Sequence, residues 1–364
     1  MSPRRPGAGS CPRHRAGRGE RALKAVVQHA FGGVDVLAYE DVEDPALGPG
    51  DVLVRVEAAA LNRLDVLQRQ GPPLLPGFRL PHIAGMDVAG TIVAAGELAG
   101  GRVGERVVVN PALQCGTCPA CKEGDDGLCP NVRVVGGTVP GGYAELCSVP
   151  ADHAFALPEG VSAEEAATIP TVFSTAWHAL VTVGRLQAGE TLLVHGAGSG
   201  VTIAAIQLAK RLGARVVASA TSERKLELAR ELGADVVVNN RTGDVVAACR
   251  EATEGRGADI ALDHVGPALF QATIEALRPR GRLAFCGTTT GELATFNLPY
   301  AYHFGISLLG VDPYRATEFA DMLAFYWGAG FVPVIDSTFP LAQAADAQRR
   351  MESGEAAGKI LLLP

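Results

Sequence analysis

The distribution of apolar and polar residues divides the chain near Pro158. Before this point, short stretches such as 52–56, 90–94 and 106–109 alternate apolar with polar residues, and glycines and prolines separate them. Period-two alternation bounded by turn residues is typical of half-buried strands. The first part of the chain is therefore predicted to be β-rich, beginning at 23–27.

Beyond Pro158 the pattern changes to apolar runs separated by segments of helical periodicity. The helical segments 201–212 and 222–232 each end at a glycine, and Ser222 stands where it can cap the second of them. Runs of Val, Ile and Leu that alternate with helices indicate a buried, doubly wound parallel sheet. The predicted strands are 191–195, 215–219, 236–238, 260–263 and 282–286. After about 296 the pattern loosens, with a helix at 319–325 and a final strand at 358–363.

Composition and charge exclude several classes of protein. The 364 residues are 48% hydrophobic and 20% charged, which is typical of a globular protein with room for two domains. Residues 1–21 contain six Arg and one Glu and therefore carry a net charge of +5. Since the whole chain carries −7, the rest of it carries −12. An acidic body disfavours nucleic acid and anionic membranes as partners. Residues 1–22 are predicted to be a disordered extension, and the protein is expected to be cytoplasmic.

Four of the eight cysteines lie close together in the sequence, at Cys115, Cys118, Cys121 and Cys129. Four thiolates can surround one Zn²⁺ ion tetrahedrally, which leaves no open position for a substrate. The spacing therefore predicts one structural zinc ion per chain. A redox-active cysteine pair and a metal-free remnant of such a site are the alternatives.

A glycine-rich turn joins the predicted strand 191–195 to the helix that follows it. Gly196, Gly198, Ser199, Gly200 and Val201 form this turn. Glycine permits a tight turn and close approach of a pyrophosphate, which the helix N-terminus attracts through its free N–H groups. The turn therefore predicts a dinucleotide site, although an ordinary strand-to-helix connection is the alternative.

The next strand bears on the choice of nicotinamide cofactor. Strands that bind NAD usually end in an acidic residue that accepts hydrogen bonds from the ribose, and 215–222 contains none. Ser222, Arg224 and Lys225 could instead bind a 2′-phosphate. We therefore predict NADPH as the cofactor, with the alternative that both cations merely face solvent.

Together these features resemble the zinc-containing alcohol dehydrogenase superfamily, the medium-chain dehydrogenases/reductases. The resemblance implies a GroES-like catalytic domain (23–149 and 296–364) interrupted by a Rossmann domain (150–295), with the active site in the cleft between them. It also implies contact between Thr175 and the cofactor. The motifs that carry it are Pro-x-Ile-x-Gly at 81–85, the four cysteines, 141–145, 175–177, the glycine turn and Gly-Lys-Ile at 358–360.

The chain departs from the zinc enzymes where they bind the catalytic metal. Asn62 replaces a cysteine, Met86 and Asp87 replace His-Glu, and Thr171 lies near the third ligand position. Amide, thioether and hydroxyl groups are poor zinc ligands, and only Asp87 could still bind the metal. The Asn-x-x-Asp sequence at Asn62 and Asp65 instead resembles the quinone oxidoreductase branch. We therefore predict a structural zinc but no catalytic zinc.

These predictions together point to hydride transfer from NADPH to a small electrophile, either a quinone or an α,β-unsaturated carbonyl. Asn62 could donate a hydrogen bond to the acceptor oxygen, and Thr171 could contact nicotinamide or substrate. Asp65 and Asp87 are expected to brace the cleft, with an arginine as a possible partner. The alternatives are an alcohol or aldehyde dehydrogenase and a non-catalytic NADPH-binding protein. By resemblance, the protein is expected to be a homodimer or homotetramer.

Overall fold

The computed structural model describes residues 23–364. The predicted disordered extension, 1–22, lies outside the described residues. The strands are β1 (Leu23–Gln28), β2 (Leu37–Val42), β3 (Asp51–Ala60), β4 (His82–Ile83), β5 (Asp87–Ala95), β6 (Arg106–Val109), β7 (Ala112–Leu113), β8 (Arg133–Val134), β9 (Leu146–Pro150), β10 (Ala154–Ala156), β11 (Thr191–His195), β12 (Arg215–Ala220), β13 (Val236–Asn239), β14 (Ala258–Asp263), β15 (Leu277–Phe285), β16 (Ser307–Gly310), β17 (Ile335–Pro340) and β18 (Lys359–Leu363).

The helices fall mainly in the second half of the chain, between the parallel strands. They are α1 (Arg63–Gln70), α2 (Pro119–Glu123), α3 (Ala163–Ala167), α4 (Pro170–Trp177), α5 (Gly200–Arg211), α6 (Glu223–Glu231), α7 (Val245–Ala252), α8 (Pro267–Ala276), α9 (Leu298–His303), α10 (Ala316–Ala329) and α11 (Ala344–Glu352). Within residues 23–364, no helix is long and apolar enough to cross a membrane.

A six-stranded parallel sheet forms the nucleotide-binding fold. Its strand order is β13-β12-β11-β14-β15-β16, so the order reverses beside β11, where the glycine turn follows. Open sheets of this type bind ligands at the carboxyl ends of the strands next to such a reversal. Strands β11 and β14 are buried on both faces, as helices covering both sides of a parallel sheet require.

The second large sheet belongs to the catalytic domain and is mixed. Strands β10, β6, β5, β3, β18 and β17 follow one another across it, and β9 pairs with a further part of β3. Strand β18 therefore enters the middle of the sheet, antiparallel to β3 and parallel to β17. Strands β3 and β18, from the first part and the end of the chain, thus share one sheet, and both contribute to one apolar core.

Strand pairing moves both predicted domain boundaries. Residues 307–310, assigned from the sequence to the catalytic domain, form β16 at the edge of the parallel sheet. Residues 154–156, assigned to the Rossmann domain, form β10 and pair with β6. Only Leu309 of β16 is partly buried, so this edge strand lacks the apolar run that marks the buried strands.

Candidate active site

The carboxylate of Asp87 is the centre of a buried hydrogen-bond cluster in the catalytic domain. It is the first residue of β5 and is fully buried. One oxygen, Oδ1, accepts from the amide and the hydroxyl of Thr171, at 2.9 and 2.6 Å. The other, Oδ2, accepts from Asn62 Nδ2 at 3.0 Å and Lys359 Nζ at 2.9 Å. Four donors from three separate parts of the chain therefore satisfy one carboxylate.

Lys359 supplies the positive charge of this cluster. It begins β18 and is only 6% exposed. Its ammonium donates to the carbonyl of Leu61 at 2.6 Å and to Asn62 Oδ1 at 2.9 Å, in addition to Asp87. All three ammonium donors therefore have acceptors. The sequence analysis cited Lys359 only as part of a family motif and assigned it no role. Its position at the start of the apolar run of β18 could have indicated a buried lysine. A buried lysine is almost always paired with an acceptor or an acid, so a partner could have been expected.

The structure brings together three of the four residues at the catalytic-metal positions. Asn62, Asp87 and Thr171 contact one another through the hydrogen bonds above, and Met86 is buried beside Asp87. The amide of Asn62 is oriented by Lys359 and Asp87, and its remaining N–H approaches only the carbonyl of Ala60, at 3.5 Å. The predicted arginine partner for Asp87 is wrong, since a lysine occupies that place.

Asp65 lies beside this cluster but has different partners. Its Oδ2 accepts from the backbone amide of Asn62 at 2.8 Å and from the hydroxyl of Tyr143 at 2.9 Å. Burial outweighs these hydrogen bonds and raises the pKa of Asp65 to about 6. Burial, together with Asp65, raises the pKa of Tyr143 well above its usual value, so the phenol stays protonated. This pair closes the N-terminus of α1, which begins next to Asn62.

The glycine turn adopts the geometry expected of a dinucleotide site. Gly196 has φ of 66°, a left-handed conformation that favours glycine. A Cβ on Gly200 would lie 2.8 Å from Val172 Cγ1, so this glycine lets α5 approach α4 closely. Ser199 precedes the first turn of α5, which starts at Gly200 and continues through Val201. The turn and helix N-terminus therefore fit a pyrophosphate.

The residues at the end of β12 include no carboxylate at the ribose position. Arg224 Nη2 donates to Asp336 at 3.1 Å, and Lys225 Nζ donates to the carbonyl of Gly354 at 2.6 Å. Ser222 is the N-cap residue of α6, as predicted, but its hydroxyl makes no capping bond. On α4, Thr175 donates its hydroxyl to the carbonyl of Thr171 at 2.7 Å. Both cations therefore already contact the catalytic domain.

The four cysteines converge, with their sulfur atoms all within 4.8 Å of one another. Cys115 and Cys121 sulfurs are 3.9 Å apart, and those of Cys118 and Cys129 are 3.8 Å apart. A tetrahedron with Zn–S bonds of about 2.3 Å has edges of about 3.8 Å. The cluster therefore fits zinc. Among residues 23–364 it is the one group of three or more such side chains that could hold a metal ion.

The segment that carries these cysteines contacts the loop before α10. Arg315 binds Asp125 through two donors, at 3.1 and 2.7 Å, and the amide of Ala316 donates to Asp126 at 3.0 Å. A Cβ on Gly127 would lie 2.1 Å from the carbonyl oxygen of Pro313. The position of this lobe is therefore fixed by direct backbone contact as well as by ion pairing.

Two family descriptions match the chain. "Alcohol dehydrogenase GroES-like domain" matches residues 48–159, and "Zinc-binding dehydrogenase" matches residues 200–328. A quinone oxidoreductase from Lama guanicoe is 30% identical, over 95% of this chain and 98% of that protein. An acryloyl-coenzyme A reductase from Sulfurisphaera tokodaii is 29% identical, over 89% and 96%.

The fold agrees with that of a solved structure of an NAD-dependent alcohol dehydrogenase. The TM-score is 0.89 at 39% identity, and the match covers 94% of this chain and 99% of that one. The similarity therefore extends over nearly the whole described chain, and the matching proteins differ in the acceptors and cofactors that their names specify.

Proposed function

Since this chain belongs to the medium-chain dehydrogenase/reductase family of oxidoreductases, we propose that it transfers hydride from NADPH to a quinone or an α,β-unsaturated carbonyl, without a catalytic metal. The observation that carries the proposal is the hydrogen-bond cluster around Asp87. By the resemblance, Asn62, Asp87 and Thr171 correspond to positions near the metal of the zinc enzymes, and here they form hydrogen bonds with one another or with Lys359. Asn62, Met86 and Thr171 offer no strong zinc ligand. The carboxylate of Asp87 could bind zinc, but its oxygens already accept from four donors.

The absence of strong metal ligands favours conjugated acceptors. Reducing a simple ketone or aldehyde places negative charge on one oxygen, which a metal ion would otherwise stabilise. In a quinone or enone the developing charge is delocalised, so hydrogen bonds can suffice. The names of two similar proteins, a quinone oxidoreductase and an acryloyl-coenzyme A reductase, are consistent with this class of acceptor.

The residues of the cluster would then position the acceptor. Lys359 and Asp87 hold the Asn62 amide in one orientation, and its weakly engaged N–H can turn towards an acceptor oxygen. Thr171 donates its hydroxyl to Asp87, so its free lone pairs can only accept. The bound cofactor would supply the hydride. Solvent water is our candidate for the proton source.

The proposed cofactor is NADPH, held by Gly196, Gly198, Ser199, Gly200 and Val201 at its pyrophosphate. Support comes from the lack of a carboxylate at the end of β12 and from the cations Arg224 and Lys225 beside it. Ser222 offers a hydroxyl that is not used to cap α6. We also assign Thr175 to the cofactor side of α4, as the resemblance implies.

An alcohol or aldehyde dehydrogenase is the second candidate. The fold match to an NAD-dependent alcohol dehydrogenase favours it, whereas the ligand set around Asp87 does not. The third candidate is a protein that binds NADPH without turnover. Like the proposed reductase, it would contain one zinc ion per chain.

One experiment separates these candidates. The purified protein is assayed for NADPH oxidation with a quinone, a conjugated enone and a saturated aldehyde in parallel, and its metal content is measured on the same sample. We expect turnover of the quinone or enone, none of the aldehyde, and one zinc ion per chain. Turnover of the aldehyde alone, with two zinc ions, would refute the proposal. Tight NADPH binding with no acceptor reduced would favour the third candidate.

A further inference from the structure

Four cations from two domains surround the N-terminus of α6. Arg224 and Lys225 begin that helix, and Arg241 follows β13. The amide of Asn240 donates to the carbonyl of Ala220 at 3.0 Å, which holds the Arg241 loop against the end of β12. The fourth cation, Arg350, comes from α11 of the catalytic domain.

Asp336 of β17 joins two of these cations, Arg224 and Arg350. Its side chain is 1% exposed and accepts from Arg350 Nε and Nη2, at 3.0 and 3.2 Å. It also accepts from the amide of Ala357 at 2.9 Å and from Arg224 Nη2 at 3.1 Å. Burial opposes ionisation, but hydrogen bonds from Arg350 and Ala357 lower the pKa of Asp336 to about 2. The carboxylate is therefore a fixed negative charge inside a cationic group.

Arg224 is anchored at one end only. A single nitrogen, Nη2, contacts Asp336, and the side chain is 63% exposed. A guanidinium has five N–H donors in a rigid plane, so the donors that Asp336 does not use remain available on the solvent side. The contact with Asp336 already restricts the rotamers of Arg224. Less side-chain entropy is therefore lost when Arg224 binds an anion.

The remaining charge favours an anion in this place. Glu355 also pairs with Arg350, at 3.0 Å. Two carboxylates, Asp336 and Glu355, therefore face four cations and leave an excess of positive charge near Lys225. Burial and repulsion by Arg224 lower the pKa of Lys225, and smaller effects of Arg350 and Arg241 add to this against the opposing attraction of Asp336. A dianionic phosphate would relieve this repulsion and bind charge-assisted donors.

We propose that Asp336, although it belongs to the catalytic domain, is a positioning residue that fixes Arg224 for the 2′-phosphate of NADPH. The inference rests on the proposed use of NADPH and adds a specificity determinant from the other domain. Since Arg224 would bind Asp336 and the phosphate together, the bound cofactor also strengthens the contact between the two domains.

The test is a binding cycle measured by calorimetry with NADPH and NADH as the two ligands. Arg224→Gln should weaken NADPH binding on the order of tenfold and leave NADH within about twofold. Asp336→Asn should weaken NADPH binding by about three- to tenfold, again without affecting NADH. The double variant should be no worse than Arg224→Gln alone. Arg230→Gln is the matched control, because Arg230 lies on the same helix and pairs with Glu223.

Several results would contradict this role. Tighter binding of NADPH by Asp336→Asn would mean that the carboxylate competes with the phosphate for Arg224. Equal weakening of both cofactors would indicate a purely structural residue. If Arg224→Gln weakens NADPH alone but Asp336→Asn does not, the cofactor preference stands and only the role of Asp336 fails. If the wild type binds both cofactors equally and Arg224→Gln changes neither, the cofactor preference fails as well.

If Asp336→Asn does not fold, the proposal can still be tested by a substitution of the exposed residue Arg224. Arg224→Lys retains the charge but lacks the planar fork that can contact a carboxylate and a phosphate together. We expect it to bind NADPH little better than Arg224→Gln. Full recovery of NADPH affinity in Arg224→Lys would show that charge alone suffices and would overturn the proposal.

Discussion

The two buried carboxylates of the active site, Asp65 and Asp87, differ in their partners. Asp87 faces the ammonium of Lys359 and three further donors. Asp65 accepts only from a backbone amide and a phenol, and its Oδ1 is buried without a partner among the described residues. Lys359 attracts the charge of Asp65 without a direct ion pair, but the cost of burying that charge outweighs this attraction and the two hydrogen bonds. Ionised Asp65 therefore destabilises the folded protein.

This cost predicts an unusual dependence of stability on pH. The folded pKa of Asp65, about 6, exceeds its usual 3.8. Between those values the native state binds more protons than the unfolded state, so its contribution to stability is present below pH 4 and is lost as pH rises through 6. From pH 5 to 8 the unfolding free energy of the wild type should fall by about 1 kcal/mol relative to Asp65→Asn.

Urea unfolding of both proteins across that range measures the effect. Asp321→Asn removes an exposed carboxylate from α10 and controls for the change in net charge. The interpretation fails if the unfolding free energies of Asp65→Asn and the wild type change with pH by the same amount from pH 5 to 8.

At the scale of elements, the cysteine lobe contains short helices and strands that cannot bury much apolar surface. Strands β7 and β8 have two residues each, and α2 has five. A metal ion commonly provides the folding free energy that such a segment lacks. The lobe contacts the loop before α10 through Asp125, Asp126 and Gly127. Loss of order in the lobe would therefore also disturb that loop.

Replacing Cys118 by Ser should therefore remove the zinc and destabilise the lobe. We expect zinc content to fall from one ion per chain to near zero and the lobe to become sensitive to proteolysis near residues 115–129. Cys286→Ser, which changes a partly buried cysteine outside the cluster, should keep its zinc. A Cys118→Ser protein that retains both full zinc content and the wild-type melting temperature would disprove the assignment.

Elements differ in how well the sequence predicts them. Strands β11 to β14 were predictable from their apolar runs, which burial on both faces requires in β11 and β14. Residues 277–281 of β15 lack an apolar run and were not predicted. The cysteine cluster followed from spacing, because ligands three residues apart in one loop must lie close together. Lys359 and Asp336 were not assigned, because their partners Asp87 and Arg224 lie more than 100 residues away and no local pattern records such contacts.

At the scale of the whole molecule, the edge of the parallel sheet is the candidate surface for self-association. Strand β16 pairs only with β15 among the described residues, so its other edge presents free backbone groups. Leu308 in this strand is 37% exposed, and Leu298, Tyr302 and Phe304 just before it are also exposed. Most soluble oligomers are symmetric, and two copies of such an edge can pair.

We therefore expect a dimer or tetramer that forms through β16. Light scattering should give a mass of at least two chains for the wild type, and Leu308→Arg should shift it towards one chain. Leu98→Arg is the control, because Leu98 is 84% exposed but lies in the catalytic domain. A wild type that is monomeric at micromolar concentration, or a Leu308→Arg variant with unchanged mass, would contradict this interface.

The central position of β18 has a consequence for how the protein is made. All six strands of the parallel sheet have been synthesised once residue 310 leaves the ribosome, so that domain can fold early. The catalytic sheet cannot be completed at that stage, because β3 pairs with β18, which is synthesised about 300 residues later. Lys359 arrives with that strand, so Asp87 has no counter-charge until then. The glycine turn can therefore form before Asp336 and Lys359 arrive, whereas the proposed 2′-phosphate and acceptor sites are completed only when β17 and β18 join the catalytic sheet.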